Sequence, residues 1–181
     1  SAMIGVGSAS VLSRAIGSED VETQEKVFSN LLGMSILFSA VLTVLGYIYA
    51  SHLIAFMGGK GEVLAYGTAY LEIFMLGSFF RIFAIATNML IRAEGKVNIA
   101  MKYAAISMII NMLLDPLFIT GFGWGIEGAS LATVSSLGVY TVLNYWYFVR
   151  GKNSFPVNLK KITLDRSVLP QVLGVGVAAM M

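Results

Sequence analysis

Residues 27–51 read VFSNLLGMSILFSAVLTVLGYIYAS, a run without a single charged side chain. It exceeds the roughly 20 apolar residues that cross the hydrocarbon core of a bilayer as a helix. The run does not alternate and is far longer than a strand, so its period is helical. Residues 128–149 form a second uncharged stretch of spanning length. These two runs decide the class: an all-α, polytopic transmembrane helix bundle.

The rest of the chain agrees. Hydrophobic residues make up 57% of the sequence and charged ones 12%, with a mean hydropathy of +0.79. Soluble domains need about twice that charge to cover their surface. Complete spans are expected at about 28–51, 64–91, 103–121 and 127–149. Residues 2–13 and 167–181 are apolar but too short to cross, so the chain reads as a fragment that begins and ends inside membrane helices. The segment 150–166 holds Pro156 and five bases and reads as a linker between two halves.

Lys and Arg counts set the orientation. Ten of the 12 bases fall in segments 14–26, 92–102 and 150–166; Lys60 stands alone in the alternate loops, and Arg81 lies inside a span. The three basic segments are therefore expected in the cytoplasm. Two of these segments open on a shared pattern, Arg14-Ala15-Ile16-Gly17 and Arg92-Ala93-Glu94-Gly95, echoed by Arg150-Gly151-Lys152. Each reads as a helix stop, with glycine at the left-handed position after the last turn. A net charge of +2 does not support nucleic-acid binding, and cysteine is absent, so thiolate chemistry is excluded.

The polar residues inside the spans carry the chemistry. Asp115 lies roughly 10 Å below the outer end of its span, and charged groups at such depth face a bundle interior or a cavity. Ser107, Asn111 and Asp115 recur at four-residue intervals on one helical face, beside the kink expected at Pro116. Thr133, Ser136, Tyr140 and Asn144 form a matching stripe, with Thr133 at about the depth of Asp115. Such a group suits a proton relay or a small hard cation such as sodium. The plainer reading is hydrogen bonding between helices, at least as good for Ser136 and Asn144. On the span 64–91, Tyr70, Gly77, Arg81 and Asn88 share a face. Glu72 points about 160° away from Tyr70, and Tyr70 is the one expected at the cavity. Gly125, Gly128, Ala129, Ser130 and Ala132 read as close helix packing, and His52 as a solvated interfacial residue. No nucleophile–base pair or metal-ligand spacing occurs, so no enzyme activity and no cofactor beyond a coupling ion is expected.

In order along the chain, Gly5-x-Gly7, Ser13-Arg14-Ala15-Ile16-Gly17, Arg92-Ala93-Glu94-Gly95, Asn111-x-x-x-Asp115-Pro116 and Gly125-Ile126-Glu127-Gly128-Ala129-Ser130-Leu131-Ala132-Thr133 resemble the multidrug and toxic compound extrusion (MATE) family. The resemblance covers about residues 5–149. It implies a partial six-helix lobe of a two-lobe, twelve-helix transporter, running from late helix 2 to early helix 7. It also implies export of cationic, amphipathic compounds against protons or sodium in a prokaryotic inner membrane. On this resemblance Asp115, Asn111 and Thr133 match a cation site, with Tyr70 and, more loosely, Asn88 as further members. An aspartate of helix 1 and the opposing lobe would lie outside this sequence. Arg81 matches no part of the pattern. A lipid-linked oligosaccharide flippase of the same superfamily and a non-transporting membrane scaffold are the rival readings.

Overall fold

The computed structural model describes residues 2–151, Phe155 and 168–178. Among them run seven α-helices: α1 (Ala2–Gly17), α2 (Val21–Phe56), α3 (Glu62–Leu76), α4 (Ser78–Ala93), α5 (Val97–Pro116), α6 (Gly125–Val149) and α7 (Leu169–Ala178). α2, α5 with its extension, and α6 are long and apolar enough to cross a membrane, and α3 with α4, taken together as a bent pair, has the length and apolarity of a fourth. α2 has 36 residues, about 54 Å at 1.5 Å per residue, and so overruns a hydrocarbon core of about 30 Å. Its first turns carry Glu22, Glu25 and Lys26 beyond the apolar run. Asp20 caps them: its carboxylate accepts from the Thr23 hydroxyl at 2.6 Å and the Thr23 amide at 3.1 Å. These bonds, the hydroxyl's first, hold its carboxyl below the usual aspartate range.

The span 64–91, expected as one helix, is two. They meet at Gly77 with a 50° bend, across which Arg81 of α4 still reaches back over the Phe74 ring of α3. The bend has two causes. A Cβ on Gly77 would come within 2.5 Å of Val134 Cγ2, so only glycine lets α6 approach there. On the other side α2 stitches the break: Thr43 Oγ1 donates to Met75 O at 2.8 Å and lies 2.8 Å from Ser78 Oγ, which also reaches Ser39 O at 3.3 Å. Ser39 and Thr43, one turn apart in an uncharged run, were the available sequence signal. Thr43→Val keeps the shape but leaves the half-buried Met75 carbonyl short of a donor. It is expected to destabilise the bundle by about 1 kcal/mol, read as a lower unfolding midpoint in detergent.

The hydrophobic core sits at the basic end. Val11 and Leu12 of α1, Val27, Phe28 and Leu31 of α2, Leu90 and Ile91 of α4 and Tyr147 and Phe148 of α6 close it. The half of α2 away from the basic end exposes Val41, Val44, Tyr47 and Ile48, as a surface facing lipid or further protein would. α1 is held on two sides through its paired glycines. A Cβ on Gly5 would meet Met89 Sδ of α4, and one on Gly7 would strike the Val172 carbonyl of α7.

The helix stops behave as read at Gly95 and Gly151, which take φ of +81° and +62°. Gly17 does not. α1 runs through it, and Glu19 takes the left-handed position (φ +56°), closed by the Asp20 amide bonding back to Ala15 O. The polar Ser18 and Glu19 extend that turn by two residues. The segment 150–166 lies outside the described residues apart from Arg150, Gly151 and Phe155.

Candidate functional site

α5 and α6 run antiparallel, and two contacts fix their register. Ser107 Oγ donates to Ser136 O at 2.9 Å, and a Cβ on Gly128 would lie 2.7 Å from Phe118 O. Thr133 is therefore level with Asn111. Asp115 falls level with residues 128–131, up to about one turn (roughly 5 Å) further from the basic end. The Asn111 amide nitrogen is buried without a hydrogen-bond partner among the described residues. Asp115 is half-buried, one turn along the same face. Thr133 donates its hydroxyl to Ala129 O at 3.0 Å, which leaves its oxygen lone pairs free to accept. An orphaned amide, a carboxylate and a hydroxyl oxygen thus lie within about two turns of one another along the helix axis.

The chain beyond Pro116 shapes this end of the site. Residues Leu117–Gly121 form a π-helical turn, with the Phe122 amide donating to Leu117 O at 2.9 Å and Thr120 Oγ1 to Pro116 O at 2.6 Å. A π-turn next to proline is a common answer to the missing amide. Trp124 then folds back on Phe118 and Phe122, and Gly128 brings α6 against the turn.

Tyr70 is brought to the same level by Ser130, whose hydroxyl donates to Tyr70 O at 3.0 Å. Its ring stacks on Phe74 at 5.9 Å, and the residue lines an apolar pocket of about 470 Å³ with Ile54, Tyr66, Leu71 and Ile126. Glu72 is half-buried nearby on α3.

The remaining expected site residues lie elsewhere. Asn88 is buried with its amide on Ala100 O (2.9 Å) and its carbonyl accepting from Arg92 Nε (3.0 Å). Ala100 is roughly 22 Å along α5 from Asp115, so Asn88 does not join the cluster. The Arg92 guanidinium at its carbonyl also repels a second cation. Ser107, Ser136, Tyr140 and Asn144, expected at a cavity wall, are buried at helix contacts. Ser136 Oγ donates to Thr133 O and Asn144 Nδ2 to Ala84 O, at 2.8 and 2.9 Å. In apolar surroundings a carbonyl on a neighbouring turn or helix is the nearest partner for such groups. Thr141, absent from the expected set, does likewise with Phe80 O of α4. Arg81 is half-buried, its guanidinium 4.6 Å from the Phe74 ring.

At the basic end, Glu94 joins the α4–α5 turn to α6. Its Oε2 accepts from the Tyr147 hydroxyl at 3.0 Å and lies 3.6 Å from Lys96 Nζ. No cluster of three metal-ligating side chains occurs among the described residues, and His52 is exposed beside Tyr49.

Residues 1–117 match the model of a protein family described as MatE. The multidrug export protein MepA of Staphylococcus aureus (strain MRSA252) is 27% identical over 177 residues, covering 98% of this chain and 39% of that protein. Two solved structures superpose closely. They are a MATE crystal structure in the bent conformation (TM-score 0.91) and an inward-facing multidrug resistance MATE family transporter of the MOP superfamily (TM-score 0.90). Each is 31% identical and is matched over 97% of this chain and 40% of its own. The chain thus spans about two fifths of the length of the relatives it matches.

Proposed function

The chain belongs to the MatE family, and from that premise we propose that the complete protein exports cationic or amphipathic drugs and metabolites across a prokaryotic inner membrane in exchange for protons or sodium. In this reading Asp115, Asn111 and Thr133 are the share of the coupling site carried here, and Tyr70 closes its outer side. One observation supports it: the α5–α6 register puts Asn111, with its unpartnered buried amide nitrogen, at the level of Thr133, and Asp115 lies one turn further along the same face. A proton or sodium ion needs a carboxylate that can change partners, and oxygen ligands near it. Ser107, Ser136 and Thr141, by contrast, donate their hydroxyl protons to backbone carbonyls.

The test is transport by the full-length protein in proteoliposomes loaded with ethidium. An imposed proton or sodium gradient is expected to drive ethidium against its own gradient. Ethidium movement that ignores both gradients would leave only the membrane-scaffold or flippase readings.

Orientation follows from the same proposal. In a cysteine-free background, Ser18→Cys and Asn98→Cys are expected to react with a membrane-impermeant maleimide only from the cytoplasm. Lys60→Cys and Phe122→Cys are expected to react only from outside. All four are exposed. Labelling of both groups from one side would overturn the span assignment.

A further inference from the structure

Arg81 is an intramembrane base that neither the helix packing nor the proposed coupling site uses. Its guanidinium makes no hydrogen bond or ion pair among the described residues; it lies over the Phe74 ring, which in turn stacks on Tyr70. An arginine at this depth needs an anion or water, since burying its charge without either is costly. Its direction is fixed by its neighbours on α4. Met89 and Ala86 lie against Gly5 of α1, and Asn88 reaches Ala100 of α5. At about 100° per residue Arg81 falls between Asn88 and Met89, and so faces the gap between α1 and α5. The Asn88–Ala100 contact also sets Arg81 level with Ser107, roughly 12 Å nearer the basic end than Asp115. That distance is too long for an ion pair between the two and suits a ligand with charges at both ends.

We propose that Arg81, with the Phe74 and Tyr70 rings, forms a subsite for an oxyanion carried on an aromatic compound. It would admit aromatic carboxylates and zwitterions alongside simple cations. This rests on the export reading above. The guanidinium pairs with a carboxylate through two parallel hydrogen bonds, and the two rings supply a stacking surface for the attached aromatic system.

The test uses two dyes that differ at one group, rhodamine 110 with its free carboxylate and rhodamine 123, its methyl ester. Both are offered to the full-length protein in phosphatidylcholine proteoliposomes. Wild type is expected to transport both. R81M is expected to reduce rhodamine 110 transport about tenfold or more, the loss of a charge-assisted pair, while rhodamine 123 changes less than about twofold. R81K keeps the charge without the fork and is expected to fall between them for rhodamine 110. Equal loss of both dyes in R81M would reduce Arg81 to a structural residue and overturn the subsite. So would unchanged transport of both, or a wild type that carries only the ester. Repeating the assay with phosphatidylglycerol in the vesicles separates a second oxyanion source. Stimulation by this lipid that R81M abolishes would assign Arg81 to a lipid phosphate and overturn the substrate subsite. A wild type that moves neither dye nor ethidium under any ion gradient would fail the export reading itself.

Discussion

Asp115→Asn in the full-length protein is expected to lower gradient-driven ethidium export by about a hundredfold or more, because an amide of the same volume can neither release a proton nor offer a full charge to sodium. Membrane level and unfolding midpoint should stay close to wild type, since Asp115 is half-buried and takes no part in the bonds that fasten α5 to α6. The neighbours should matter less. Asn111→Ala and Thr133→Ala each remove one neutral ligand or orienting group, an effect of about tenfold. Asn88→Ala separates the two kinds of polar residue. It breaks the α4–α5 bond and the Arg92 contact, so it should lower stability while leaving the ratio of coupled to uncoupled transport unchanged. The measurement is ethidium flux at pH 6 and pH 8, with and without sodium. An Asp115→Asn protein that exports at the wild-type rate in all four conditions would leave Asp115 as a structural group.

The second large effect concerns Gly128. Its ideal Cβ would lie 2.7 Å from Phe118 O, 2.8 Å from Phe118 C and 3.1 Å from Ile119 N, all backbone atoms of the π-turn. No rotamer change relieves such a contact, so a side chain must push α6 away from the end of α5. Gly128→Leu is expected to cost about 3 kcal/mol or more, the upper range for overpacking, and to yield little folded protein in detergent. Gly128→Ala should be milder but should still shift the α5–α6 register and weaken coupling with it. Gly138 is the control, since nothing lies within 4 Å of its Cβ position and Gly138→Ala should be tolerated. If Gly128→Leu folds and transports like wild type, the close approach to the π-turn is not what sets the register.

The sequence by itself determined the class and the helix stops at Gly95 and Gly151. These follow from solvent and local chemistry. A run of uncharged residues has one favourable environment in a membrane, and a helix that satisfies its own backbone groups is the one way to occupy it. The sequence also marked the polar stripes of α5 and α6, because four-residue spacing on one face is local geometry. What it could not decide was which polar groups stay unsatisfied. Ser107 and Ser136 look like site residues in sequence, yet the fold places a carbonyl opposite each hydroxyl; Asn144 finds a carbonyl for its amide nitrogen while its Oδ1 stays without a partner among the described residues. Asn111 has the same spacing, and its amide meets none. That difference depends on the neighbouring turn or helix, not on the residue. The bend at Gly77 was hidden for the same reason: it is made by Val134 on α6 and Thr43 on α2, residues 57 positions after it and 34 before it. Tertiary contact likewise aimed Arg81 at the gap between α1 and α5, a direction that helical phase defines only once the two neighbouring helices are in place.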